Sequence, residues 1–520
     1  MTTSVTTPEQ DARRRRTIAW VVALAFFGLI FDGYDLVVYG TVLSTFLRDP
    51  SQIGPVTPAV GGALGSYALV GVLVGALLAG TMSDVLGRRK LMLLSYAWFS
   101  IGMAITATMS SITGFGLMRF VTGLGVGALV ATTGAIVSEF APPGKKNLCN
   151  AIVYSGVPFG SLLSALLAIV LLTTIGWRGM FWVGALPIVT LLPLALAKMP
   201  ESPTWLMSRG RVEEARALAE RTGVPLTEAA PVATPADGRR ERVGFAGLFS
   251  GGNALPAVLL GFMSVLGLVL VYAINTWLPE LMLRAGFNAK GSLSFLLVSN
   301  GGAVIGALVG SRIADRFGPK LVVAASFLIG AVSIALLTLS LPLGVLLLFV
   351  AIVGLGTSGT QTLIYGFVAN YFRTNVRGAA VAWCAGFGRL GGVGGPLLGG
   401  FLLAAGLALN SIFYVLAAVA LVGTALTLLV PSRRTHDLHS TPIEPSVTAD
   451  PVDDTDVRER QVVQNAVDQL AAAGIDVHGE MIEATEHDVA DVIASGPRSS
   501  TSTSSCSATS TTGGRRWRRT

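Results

Sequence analysis

Apolar residues along this chain gather into long unbroken runs rather than alternating stripes, and short polar or Gly/Pro-rich segments separate the runs. Twelve runs stand out, near residues 17–47, 58–82, 91–110, 113–140, 148–174, 179–198, 254–279, 291–312, 321–340, 344–371, 378–405 and 410–431. Coiled as helices, they are long enough to cross a hydrocarbon layer of about 30 Å. The pattern predicts an all-α membrane protein with twelve transmembrane helices, and an even number puts both termini on one side. Residues 1–16 are polar and end in Arg13, Arg14, Arg15 and Arg16. The run that follows is too long for a signal-peptide core and lacks a small-residue cleavage site, so it is expected to stay as a helix. Residues 199–253 form a polar interruption containing an amphipathic stretch, Val212 to Arg221, expected to lie helical on the cytoplasmic face. The expected organisation is a cytoplasmic N-terminus (1–16), a six-helix bundle (17–198), a central cytoplasmic loop (199–253), a second six-helix bundle (254–431) and a cytoplasmic tail (432–520).

Composition supports this reading and narrows it. Of 520 residues, 52% are hydrophobic and 13% charged, about half the charged fraction of a soluble chain, which excludes a soluble enzyme. The net charge of +7 would suggest nucleic acid in a soluble protein. Here the basic residues sit in short loops, where they set orientation. With the termini inside, the inner loops hold Arg88, Arg89, Lys90, Lys145, Lys146, Arg312, Arg316, Lys320, Arg373 and Arg377, against Arg48, Arg178, Arg284 and Lys290 outside. A multi-pass protein of a bacterial inner membrane is expected, in contact with the lipid bilayer, with no nucleic-acid partner, acting as a monomer. Cys149, Cys384 and Cys506 are too scattered for a disulfide framework or metal site. His436, His439, His478 and His487 all follow the last apolar run, so a proton carrier inside the membrane must be a carboxylate. No phosphate-binding G-x-x-x-x-G-K-[ST] loop occurs, which argues against pumping by ATP hydrolysis, and no cofactor or metal is expected.

The two halves repeat. Ser83 to Lys90 recurs as Ala314 to Lys320, and Glu139 to Lys146 matches Asn370 to Arg377, with the same offset of 231 residues for Asp84/Asp315 and Lys146/Arg377. Parallel six-helix repeats place substrate at the midplane between halves that rock to alternate access. The motif Gly80, Asp84, Gly87, Arg88, Arg89, Lys90 resembles the loop after the second span of the major facilitator superfamily. Pro200 to Leu206 resembles the motif that follows span six in its sugar and organic-acid branches. Phe31-Asp32-Gly33-Tyr34-Asp35, Arg119 to Gly125, Ser138-Glu139-Phe140 and Gly388 to Gly391 together are similar to the aromatic acid:proton symporter family, over residues 15–435. The resemblance implies a major facilitator fold and proton-coupled uptake of an acid such as benzoate or a hydroxybenzoate. It also implies gate loops at Gly80, Asp84, Gly87, Arg88, Arg89, Asp315 and Gly318 that affect rate more than substrate choice.

Charges inside a membrane are costly and mark function. The runs contain Asp32, Asp35, Arg119, Glu139 and Arg389. Asp32 and Asp35, three apart, lie ~5–6 Å from each other on one helix face, and two such carboxylates do not both ionise readily. Arg119 falls at similar depth and is expected to pair with them, so that an aspartate releases its proton when Arg119 approaches and regains it when Arg119 withdraws. Glu139 completes the candidate proton-coupling set, and the rival reading is a permanent structural ion pair. Arg389 has Pro158 at its repeat position and no evident carboxylate opposite. Its planar guanidinium suits the carboxylate of an aromatic acid, the rival being a packing arginine bound to backbone carbonyls. Tyr34, Tyr154, Asn275, Asn300, Gln361 and Tyr365 complete the candidate substrate site. Gly386, Gly388, Gly391, Gly392, Gly394 and Gly395 are expected to serve close helix packing.

In the tail, residues 459–495 faintly resemble a fragment of a universal stress protein without its nucleotide loop, and a Ser/Thr run ends in a basic cluster, Arg515 to Arg519, that could meet anionic lipid. Two alternatives accompany the aromatic-acid reading: a proton symporter for a non-aromatic organic acid or sugar, and a membrane ligand sensor signalling through its tail.

Overall fold

The computed structural model describes residues 8–142, 145–224 and 244–431, so the expectations for the tail lie outside the described residues. The first half comprises α1 (Pro8–Arg48), α2 (Pro58–Leu86), α3 (Arg88–Thr108), α4 (Ile112–Phe140), α5 (Lys146–Tyr154), α6 (Gly156–Gly184) and α7 (Leu191–Lys198). Three short helices follow, α8 (Pro203–Ser208), α9 (Val212–Thr222) and α10 (Gly244–Leu248). The second half comprises α11 (Ala254–Arg284), α12 (Ala289–Phe317), α13 (Pro319–Leu336), α14 (Leu343–Gly354), α15 (Thr360–Tyr371), α16 (Thr374–Ala404) and α17 (Leu409–Leu429). Helix starts carry the expected chemistry. Thr57 and Ser111 accept the amides of Val60 and Gly114, satisfying first-turn N–H groups that have no partner within the helix. The amphipathic stretch after Val212 is helical, as α9, and ends at Gly223 in the left-handed conformation.

Among the described residues eleven helical stretches are long and apolar enough to span, and the twelfth crossing is broken. Gly176, with φ 65°, kinks the chain after the fifth crossing. The sixth then runs through Trp177–Gly184, a single 3₁₀ turn at Leu186–Ile188 and α7. Pro187 inside that turn has no N–H to continue the ladder. The tenth crossing holds a π turn, Leu355–Gly359, between α14 and α15. The seventh is longer than its apolar run suggests: α11 continues through Pro279 to Arg284 and carries Glu280 with it.

Within each half, backbones touch through small residues. A Cβ on Gly71, Gly75, Gly123 or Gly127 would come within 2.2 Å of a carbonyl oxygen across the α2/α4 seam. Such approaches substitute for the hydrophobic drive that lipid cannot supply between helices. On α16, a Cβ on Gly391 or Gly395 would lie 2.0 or 2.6 Å from an α11 carbonyl oxygen, whereas Gly386 has open space around it. The repeat is visible in the backbone too. Gly87 (φ 92°) and Gly318 (φ 85°) make the same positive-φ turn before α3 and α13.

The halves pack on each other along α1/α11, α2/α16 and α6/α12. Their close backbone approaches fall toward the membrane face remote from the N-terminus. A Cβ on Gly40 would lie 2.0 Å from the Asn275 carbonyl oxygen, one on Gly62 would lie 2.6 Å from that of Pro396, and Ser66 donates to the Val393 carbonyl at 2.7 Å.

Candidate functional site

Asp35 and Arg119 form an ion pair between α1 and α4 inside the first half. Both are almost wholly buried, and the guanidinium carbon stands 5.5 Å from the Tyr39 ring centroid and 5.9 Å from that of Phe181. Tyr39 in turn donates to the Gly61 carbonyl. Aromatic walls of this kind keep water from the pair and hold the arginine face-on. The Nε of Arg119 has no hydrogen-bond partner, so the pair is the main neutralisation this buried cation receives among the described residues.

Asp32 is also buried and makes no ion pair among the described residues; Arg389, at the middle of α16 in the other half, lies within electrostatic range of it. Of the two aspartates expected to pair with Arg119, Asp35 alone does so among the described residues. Arg389 lies in electrostatic reach of Tyr154, Tyr272 and Tyr365 as well as Asp32. Its one hydrogen bond among the described residues is long, 3.5 Å to the Tyr272 hydroxyl. Among the described residues its other N–H donors have no hydrogen-bond partner.

The remaining candidates divide. Tyr154 donates to the Val130 carbonyl at 3.4 Å, and both it and Tyr365 lie within electrostatic range of Arg389. Tyr34 instead donates to the Met180 carbonyl at 2.8 Å within the first half. Asn300 donates to the Asn275 side-chain oxygen at 3.1 Å, tying α12 to α11. Gln361 donates to Ser264 at 3.1 Å, while its own oxygen is buried without a donor. Glu139 is remote in partnership from the aspartates: it accepts from Arg88 at 3.2 Å. Arg88 also bonds Asp84 at 3.1 Å and the Ser83 carbonyl at 3.0 Å. The Asp84 carbonyl accepts from Trp205 and Arg209, and Glu201 accepts the Arg89 amide at 2.9 Å. Gly87 sits against Glu201, whose Oε2 would lie 2.6 Å from an added Cβ. Gly80 meets nothing within 4 Å, and Asp315 lies one turn before Gly318 at the end of α12.

Two residues escaped the sequence reading. Tyr272 sits one helical turn before Asn275, in a run where tyrosine resembles ordinary core. Glu280 lies one residue past the apolar run 254–279, directly after Pro279, where a carboxylate resembles ordinary loop. It is buried, with Arg284 at 2.9 Å on its own helix and Arg48 of α1 at 3.8 Å across the seam. No cluster of His, Cys, Asp or Glu suited to a metal occurs among the described residues.

Two repeated six-helix halves, closed on each other at one face and holding unpaired polar chemistry at mid-depth, define a membrane transporter. Residues 20–299 match the family described as sugar (and other) transporter, and residues 291–467 match the Major Facilitator Superfamily. The benzoate transport protein of Acinetobacter baylyi is 31% identical over 86% of this chain and 95% of its own. The gentisate transporter of Corynebacterium glutamicum is 33% identical over 80% and 88%. In three dimensions the chain is similar to the inward-open xylose transporter XylE from E. coli, with TM-score 0.63 at 18% identity over 80% of this chain and 97% of that one. The chain belongs to the major facilitator superfamily and, within it, to the aromatic acid:proton symporter family. It is a transporter, not an enzyme.

Proposed function

We propose that this chain imports an aromatic carboxylic acid, such as benzoate or a hydroxybenzoate, together with a proton across a bacterial inner membrane, with both termini in the cytoplasm. The observation that carries the reading is Arg389: a guanidinium at the middle of α16 whose one hydrogen bond among the described residues is a long one to Tyr272, with Tyr154, Tyr365 and Asp32 within electrostatic range. A planar fork grips a carboxylate through two parallel hydrogen bonds, and phenol rings give an aromatic ring its flanks. The names of the relatives, benzoate and gentisate transporters, support the same substrate class.

Charge balance supplies the coupling. One arginine cannot neutralise two carboxylates in a poorly solvated place, so substrate binds at Arg389 with Asp32 protonated. When the acid leaves toward the cytoplasm, Arg389 again supports ionised Asp32 and the proton departs. The closed seam at Gly40, Gly62 and Ser66 then belongs to the outer face, and the state described faces inward. In this scheme Asp32 is the proton carrier, Asp35 and Arg119 position α1, and Glu139 serves the gate loop with Asp84 and Arg88. Gradient-driven uptake of labelled benzoates, hydroxybenzoates, sugars and aliphatic acids into vesicles tests it. Benzoates should accumulate when protons flow inward, and preferential accumulation of a sugar or an aliphatic acid would sink the assignment.

A further inference from the structure

On the N-terminal face of the first half, the starts of α1 and α3, the end of α7 and the helices α8 and α9 line a half-open cavity of about 800 Å³, within the size range of small-molecule sites. It is separate from the seam that holds Arg389. Six basic side chains line it and only two acidic ones. Both acids are already engaged. Glu201 accepts the backbone amides of Arg89 and Ser202 at 2.9 and 3.0 Å. Glu214 takes both nitrogens of an Arg211 fork, which holds its carboxyl below the usual carboxylate range.

The surplus charge is left unanswered. Arg16, Lys90 and Arg221 make no hydrogen bond or ion pair among the described residues, and the Nε of Arg89 is buried without an acceptor. Lys198 stands 5.9 Å from the Trp20 ring, and Arg211 stands 5.8 Å from that of Trp205, so two tryptophans shape the wall that the cations rim. Like charges collected around one cavity repel each other unless an anion joins them. The donors are forks and ammonium groups that match phosphate oxygens. Trp20 follows Arg16 by one turn where α1 enters its apolar run, the depth at which lipid headgroups lie.

We propose that this cavity binds a phosphate-bearing anion, gripped by Arg16 of α1, Lys90 of α3 and Arg221 of α9, as a ligand distinct from the transported acid. Two sources carry this chemistry: the headgroup of an anionic phospholipid, and a soluble phosphorylated compound.

Calorimetric titration of the full-length protein in a non-ionic detergent tests the site with two probes, inorganic pyrophosphate and a short-chain phosphatidylglycerol below its micellar concentration. Lys90 and Arg221 are exposed, so the double variant Lys90→Gln/Arg221→Gln keeps the fold, with the thermal midpoint as the check and Arg16→Gln as an independent variant. Binding should weaken at least tenfold in the double variant. It should stay within twofold in Arg14→Gln/Arg15→Gln, which removes the same charge outside the cavity. Pyrophosphate binding as tight as the lipid's identifies a soluble ligand, and binding of the lipid alone identifies a headgroup. Equal losses in the two double variants, or no binding of either probe to the unmodified protein, would overturn the proposal.

Discussion

Arg389 meets one long hydrogen bond and no direct counter-ion among the described residues, so its value lies in what arrives. Lysine at this position keeps the charge and loses the paired geometry. Arg389→Lys should weaken substrate binding at least tenfold, about 1.4 kcal/mol, and an unchanged affinity by titration calorimetry would remove Arg389 from the site. The two aspartates should part company under substitution. Asp32→Asn imitates the protonated acid: exchange of labelled for unlabelled substrate should persist in vesicles while gradient-driven uptake collapses. Asp35→Asn strands the buried Arg119, a loss of about 3–5 kcal/mol, so the thermal midpoint, exchange and uptake should fall together. If Asp35→Asn instead kept its stability and lost only net uptake, the carrier would be Asp35. All four of these charged residues were legible in the sequence, because a charge inside an apolar run is conspicuous. So was a pairing of Arg119 with the aspartates, which Asp35 makes; that Asp32 would stand apart from it was not. Three residues along a helix leave side chains about 60° apart, and only the rotation of α1 in its bundle decides which aspartate meets Arg119 and which does not.

At the scale of elements, turns made by glycine carry the gate. Gly87 holds φ 92° and ψ 158° against Glu201, a region essentially reserved for glycine, where another residue is strained by about 1–3 kcal/mol. Gly87→Ala should therefore lower the thermal midpoint and detach Glu201 from the Arg89 amide. A midpoint equal to that of the unmodified protein would show that the turn relaxes freely. The twelve crossings were readable because each needs a long apolar run, and the internal repeat fixed their grouping. What the runs concealed were the breaks. Pro187 divides the sixth crossing without interrupting its hydrophobicity, and Pro279 marks no end, because neighbouring helices satisfy the groups that proline frees. Glu280 stayed hidden because it follows that proline directly, where a carboxylate resembles ordinary loop. Tyr272 stayed hidden for another reason: a lone tyrosine in an apolar helix looks the same whether it faces a neighbour or a guanidinium.

For the whole molecule, Glu280 is the acid that bridges the halves, reaching Arg48 of α1 at 3.8 Å from α11. Both arginines beside it are partly exposed, so the link is worth about 1 kcal/mol, roughly a fivefold change in the ratio of two states. Glu280→Gln should open the seam more often. In a protein whose native cysteines are replaced by serine, Ser66→Cys should then react several-fold faster with an impermeant thiol reagent applied outside, and an unaltered rate would mean that the bridge does not hold the closed state. The seam at Gly40 has a further consequence. Because its neighbour is a main-chain carbonyl rather than a pliable side chain, even one methyl group there has nowhere to go while that face is shut. Gly40→Ala would act as a doorstop, stalling the cycle with that face open and offering crystallographers and antibody makers a homogeneous sample of the open form.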